Sequence, residues 1–207
     1  MAANLSILND PPKVLDGPKL LHQLIQWEDY AEACAIDFTS NGHRQQYSYG
    51  EVQSCVTSLV ERIQDSLAKS NTRTDKSRRQ HIVPVLLPQS PGLYISQLAV
   101  LNSGGAFCPI NLDAPKERVK FVVGDVSADL IITTLEFKDI ATWGNGPTVI
   151  IFDEFPPIPL GKPSSRETPR EASPHELSYV MYTSGSSGYV SGENLYSYWG
   201  CLKKRSS

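Results

Sequence analysis

Between Ile82 and Phe152 short apolar runs alternate with helical segments, and that order leaves the chain few folds to choose from. Ile82–Leu87, Ala106–Ile110, Leu130–Thr133 and Thr148–Phe152 are bounded by turn residues and read as strands. Gly92–Leu101 reads as a helix closed by Ser103-Gly104-Gly105, and Pro115–Val126 as a helix that opens on Pro, Lys and Glu. Strands separated by helices are joined by crossovers, and crossovers lay their helices over the faces of a parallel sheet. The expected fold class is α/β, with a mainly parallel sheet and flanking helices.

The flanking segments are organised differently. Pro11–Asp16 is an extended lead-in, after which Gly17-Pro18 opens a helix carrying Leu20, Leu21, Leu24, Ile25 and Trp27 at helical spacing. Ala35–Phe38 and Gln46–Tyr49 read as two short strands about a turn at Ser40-Asn41-Gly42. From Gly50 a long amphipathic helix follows, with Val52, Cys55, Val56, Leu59, Val60, Ile63 and Leu67 on one stripe. Residues 69–80 and 156–174 are polar or Pro-rich surface loops. Tyr189–Ser207 has neither helical stripe nor strand alternation and carries a basic end, Lys203-Lys204-Arg205.

Charge and cysteine usage exclude several classes. A net charge of -3 argues against a nucleic-acid binder, and the one basic cluster, Arg73, Lys76, Arg78 and Arg79, lies in a polar loop. The N-terminus lacks the basic start and apolar core of a secretory signal, and no apolar run reaches the length of a membrane span. Cys34, Cys55, Cys108 and Cys201 are scattered without a CxxC pair, which points to reduced thiols and a cytoplasmic protein. Cys55 and Cys108 fall in apolar surroundings and read as core. His22, His43, His81 and His175 show no metal-ligand spacing. Asp125, Asp129, Asp153 and Glu154 stand at element ends, where carboxylates are ordinarily solvated.

One stretch carries chemistry. Leu177–Tyr182 is a short β-rich apolar run of the kind that forms a buried strand, and it breaks into Thr183-Ser184-Gly185-Ser186-Ser187-Gly188. The two glycines let the backbone turn and approach a ligand closely, so that successive N–H groups converge on an anion, and four hydroxyls add donors. No Gly-Lys-Ser/Thr follows, so this is not a Walker A loop. Ser184 is not in a Gly-x-Ser-x-Gly elbow. The same composition also suits a flexible linker.

Three separated stretches resemble the adenylate-forming enzymes, and within them the adenylation domains of nonribosomal peptide synthetases. Tyr47-Ser48-Tyr49-Gly50-Glu51-Val52 is similar to the family's first core motif. Leu101-Asn102-Ser103-Gly104-Gly105-Ala106-Phe107-Cys108-Pro109-Ile110-Asn111 is similar to the second, continued by Pro115-Lys116-Glu117-Arg118-Val119 and Ala128–Thr133. Tyr182–Gly188 is the third. The Gly-Gly-Ala-Phe-x-Pro form resembles amino-acid adenylation domains more than fatty-acyl ligases, and the general wording resembles fungal siderophore synthetases of the ferrichrome type. The resemblance implies residues 1–188 as an incomplete N-terminal half of a large adenylation domain, with 189–207 an unrelated tail. It implies ATP and a carboxylic (amino) acid as substrates, Mg2+, and a phosphopantetheine carrier in the full-length enzyme. It assigns Thr183, Ser184, Gly185, Ser186, Ser187 and Gly188 to gripping the β- and γ-phosphates, Glu51 to starting a helix, and Gly104-Gly105 to a tight turn. No catalytic residue and no metal ligand is assigned.

The match departs after Tyr189. The family loop runs on into Pro-Lys-Gly, whereas this chain reads Val190-Ser191-Gly192, without the lysine. Val-Ser can be encoded GTA-AGT, a common intron start, so the sequence is expected to be a truncated gene product read into an intron, inactive by itself and poorly soluble. An acyl-CoA ligase fragment and a non-catalytic nucleotide-binding regulator are the alternative readings.

Overall fold

The computed structural model describes residues 20–70, 80–152, 172–182 and 192–196. It opens on a 3-10 turn, Leu21–Leu24, followed by strands β1 (Cys34–Ser40) and β2 (His43–Ser48) and helix α1 (Tyr49–Ser70). Strand β3 (Ile82–Leu86), helix α2 (Pro91–Asn102), β4 (Ala106–Pro109), α3 (Lys116–Asp125), β5 (Leu130–Thr133), the short α4 (Lys138–Ala141), β6 (Thr148–Ile151), β7 (Leu177–Tyr182) and β8 (Gly192–Tyr196) complete the order.

β1 and β2 form an antiparallel hairpin, turned by Asn41 (φ 50°) and Gly42 (φ 79°). Two left-handed residues make the turn whose twist matches that of the strands it joins, which is why Asn-Gly signals a hairpin. The hairpin leads directly into α1. The Ser48 N–H donates to Glu51 Oε2 (2.8 Å) and the Glu51 N–H to Ser48 Oγ (3.2 Å), a reciprocal cap for the helix start. Glu51 therefore has the helix-starting role assigned to it.

The remaining strands build one sheet in the order β6-β5-β3-β4-β7-β8, parallel from β6 to β7. Alternation along each strand sorts its side chains between two layers. Val83, Val85, Leu130, Ile132 and Ile150 face α1 and α2, packing on Val56, Leu59, Ile63, Ile95 and Ala99. Leu86, Cys108, Ile131 and Val180 face α3 and α4, packing on Val119, Val122, Val123 and Ala141. Cys55 and Cys108 are buried, as expected of core thiols, while Cys34 is exposed.

At the α2–β4 junction Gly104 has φ 79°, and a Cβ on Gly105 would meet His81 O at 3.1 Å and Val100 O at 3.3 Å. The second motif thus places one glycine where the backbone is left-handed and the next where two carbonyls crowd it.

Three expectations differ from the fold. The helix expected after Gly17-Pro18 is, in its described part, a single 3-10 turn with the chain extended at Ile25. Leu20 is buried but Leu24 is 51% exposed, so the helical spacing of apolar residues there marks no continuous buried face. α4 escaped the periodicity argument because it is four residues long. In the tail, where no element was expected, Gly192–Tyr196 pairs antiparallel with β7. Edge pairing is a main-chain interaction and requires no side-chain alternation. The surface loop expected at 69–80 starts later than read, because α1 runs to Ser70, and most of it, like most of the loop expected at 156–174, lies outside the described residues.

Candidate nucleotide site at the carboxyl edge of the sheet

In open parallel sheets ligands bind beyond the carboxyl ends of the strands, where successive crossovers leave in opposite directions. That condition is met here. From β3 the chain passes through α2 to β4 on one side, and from β4 it returns through α3, across β3, to β5 on the other. α2 and α3 consequently cover opposite faces. β7 lies beside β4, and its last residue, Tyr182, sits at the carboxyl edge.

A cavity of about 390 Å³ opens at this edge, lined by Pro109, Asn111, Asp113, Arg118, Val122 and Tyr182. Asn111 Oδ1 accepts a hydrogen bond from the Asp113 N–H (3.1 Å), which folds the chain between β4 and α3 around one side of it. Tyr182 forms the other side. Its ring lies along the flank of α3, with the Arg118 guanidinium 5.5 Å from its centroid and the Phe121 ring edge-on at 6.5 Å. Arg118 also sits 5.3 Å from the centroid of Phe121. The Tyr182 hydroxyl donates to Asp125 Oδ2 at the far end of the helix. Burial raises the Tyr182 pKa well above the ordinary phenol value, and the hydroxyl's bond to the Asp125 carboxylate raises it further. Beneath the ring, burial pushes the Cys108 thiol up to about 12, with the Asp125 charge adding to the shift.

The six loop residues assigned from the sequence, Thr183, Ser184, Gly185, Ser186, Ser187 and Gly188, lie outside the described residues. The structure describes the residue before them and the surface it stands on. Of the carboxylates weighed in the sequence, Asp125 meets Tyr182, whereas Asp129 lies 3.5 Å from His81 Nδ1 at the opposite, amino edge. They do not converge, and Asp153 and Glu154 lie outside the described residues. The amino edge has its own cavity, about 300 Å³, lined by Lys120, Ser127, Asp129, Trp143 and Asn145. Sequence reasoning missed the role of Arg118 and Phe121. Their signal is the spacing 118, 121, 125, which puts all three side chains on one face of a helix.

Among the described residues there is no group of three or more His, Cys, Asp or Glu that could hold a metal ion. No helix among them is long and apolar enough to cross a membrane.

A five-stranded parallel sheet with helices on both faces is the architecture of the N-terminal part of adenylation domains. The chain belongs to the AMP-binding enzyme family, whose profile matches residues 25–190. It is 40% identical over 194 residues to nonribosomal peptide synthetase 2 of Gibberella zeae, covering 92% of this chain and 4% of that protein. It is 32% identical over 124 residues to the hydroxamate-type ferrichrome siderophore peptide synthetase of Schizosaccharomyces pombe, covering 55% of this chain and 2% of that protein. Among solved structures it resembles the AMPPNP-bound form of the nonribosomal peptide synthetase FmoA3, with TM-score 0.64 and 18% identity over 92% of this chain and 18% of that one. The chain thus spans a few per cent of the length of the curated relatives it matches, and the region shared is that of an adenylation domain.

Proposed function

We propose that this chain supplies the phosphate-gripping part of an amino-acid-activating adenylation domain in a nonribosomal peptide assembly line of the siderophore type. The observation that carries the reading is the position of Tyr182. It ends an inner strand at the carboxyl edge, beside the cavity lined by Asn111 and Arg118, where α/β sheets bind their ligands. In this reading the hydroxyls of Thr183, Ser184, Ser186 and Ser187 and the backbone N–H groups at Gly185 and Gly188 hold the β- and γ-phosphates of ATP. A substrate carboxylate then attacks the α-phosphate, giving an acyl-adenylate and pyrophosphate. Fixed donors aimed at the phosphate oxygens stabilise the charge of that transfer without reorganising during it. The acyl group then passes to the thiol of the phosphopantetheine carrier of the full-length enzyme, and AMP leaves. Mg2+, when bound, would balance phosphate charge in such a transfer.

The likeness to synthetases named for ferrichrome siderophores supports an amino acid, rather than a fatty acid, as the activated substrate class. The 207-residue chain by itself is proposed to be inactive; it corresponds to 4% of the Gibberella zeae synthetase it matches. The test is amino-acid-dependent exchange of labelled pyrophosphate into ATP, measured on the synthetase carrying this region and on the chain alone. Exchange by the synthetase, abolished by Gly185→Trp and absent from the chain alone, is the expected result. Exchange driven by fatty acids but not amino acids would replace this reading with the acyl ligase.

A further inference from the structure

We infer that Tyr182 is a positioning residue: its hydroxyl bond to Asp125, with Arg118 on its ring, braces the point where the chain leaves the sheet for the Thr183–Gly188 loop. The inference rests on the phosphate-loop reading above, and three observations lead to it.

The first is how little main chain holds that end of β7 to the body. The β4–β7 ladder registers Phe107 against Tyr179, and no later pair follows among the described residues. β4 ends at Pro109, which has no N–H to give to the strand beside it. The antiparallel partner on the other side, β8, ends the sheet and pairs only with β7, so it does not fix β7 against the rest of the molecule.

The second is the bond itself. The Tyr182 hydroxyl reaches a carboxylate 57 residues away in sequence, on the helix that its ring packs against. A hydrogen bond to a charged acceptor is among the stronger kinds, and it ties the last residue of the strand to a rigid element.

The third is the stack. Arg118 and Phe121 hold the ring from the same helix face, so the phenol is fixed in direction as well as at its tip. A displacement of about 1 Å at the residue that leads into a binding segment is enough to spoil a preorganised site.

The experiment uses the 207-residue chain, uniformly 15N-labelled, as wild type, Tyr182→Phe, Asp125→Ala, Asp125→Asn and the Tyr182→Phe/Asp125→Ala double variant. Two quantities are read: order parameters of the Thr183, Ser184 and Gly185 amides, and the Kd for AMPPNP from amide shifts. Tyr182→Phe keeps the ring on Arg118, and Asp125→Asn keeps an acceptor oxygen. The brace predicts that order parameters fall toward about 0.6 in Tyr182→Phe and Asp125→Ala while those of α3 do not move. AMPPNP binding weakens about fivefold or more in both, no further in the double variant, and recovers in Asp125→Asn. Unchanged order parameters in Tyr182→Phe overturn the brace, whatever the nucleotide result. Loop amides that answer Tyr182→Phe but show no AMPPNP shifts in the wild type uphold the brace and overturn the phosphate-loop reading instead.

Discussion

The side-chain amide of Gln80 pairs with both backbone groups of Leu177, donating to its carbonyl (2.7 Å) and accepting from its N–H (3.0 Å). This is a strand-like bridge made by a side chain, thrown across 97 residues to the first position of β7. With Gln80 at its start and Asp125 at its end, β7 is anchored by side chains at both extremities. Gln80→Ala leaves two partly buried backbone groups unpaired, at a cost of about 1–3 kcal/mol. Gln80→Glu keeps the acceptor, loses the donor and sets a charge against the Leu177 carbonyl, so it does not rescue. Urea denaturation checks this: the midpoint falls in both variants with an unchanged slope.

The glycine pair of the α2–β4 turn separates two kinds of cost. Gly104→Ala forces a Cβ into left-handed backbone at φ 79°, worth about 1–2 kcal/mol. Gly105→Ala instead drives a Cβ toward His81 O and Val100 O, neither of which can rotate away, and overpacking of this sort costs about 1–3 kcal/mol. Thermal unfolding is the readout, and Gly104→Asn is expected to recover part of the loss, because Asn tolerates the left-handed region.

The thiols give a chemical and a pH-dependent test. Cys34 is exposed and Cys108 fully buried with its pKa near 12, so thiolate reagents at pH 8 are expected to modify Cys34 and spare Cys108 until the chain unfolds. The folded pKa of Cys108 lies above the ordinary thiol value of 9.0, so between about 9 and about 12 the unfolded chain binds fewer protons than the folded one. Stability is therefore full below pH 9 and declines as pH rises through that window, by up to ~1.4 kcal/mol per pH unit for one thiol. Tyr182, also raised, adds to the decline above pH 10. Urea midpoints that stay level from pH 8.5 to 11 would contradict this account.

Legibility in the sequence followed the strength of the local signal. The α1 stripe from Val52 to Ile63, the Asn41-Gly42 turn and the parallel strands from Ile82 to Ile151 were readable because periodicity, turn chemistry and burial agree there. The segment from Leu20 to Trp27 misled, since its apolar spacing imitates a helix while Trp27 docks on Tyr49 at 6.3 Å from an irregular chain. At the site, the residues of the Ser/Gly loop announce themselves by composition, whereas the brace beneath them does not. Arg118, Phe121 and Asp125 read as a solvated helix face until the return of β7 brings Tyr182 onto it.

The tail is open to a test at the level of the gene. The family match runs to residue 190, and the motif departs after Tyr189. We propose that Val190–Ser207 is translated intron. Sequencing the transcript across the codons for Gly188–Gly192 is expected to find a spliced message joining Tyr189 to Pro-Lys-Gly. A mature message encoding Val190–Ser207 would instead favour the nucleotide-binding regulator.

Photoaffinity mapping tests whether Thr183–Gly188 holds nucleotide phosphates at the carboxyl edge, as proposed. An ATP analogue carrying a photoreactive group on its γ-phosphate is cross-linked to the chain, with and without excess ATP, and the labelled peptides are identified by mass spectrometry. The account predicts ATP-protected label on the peptide that contains Thr183–Gly188, lost in Gly185→Trp. Protected label at the amino-edge cavity of Lys120, Trp143 and Asn145 would contradict it, and so would labelling that ATP does not displace.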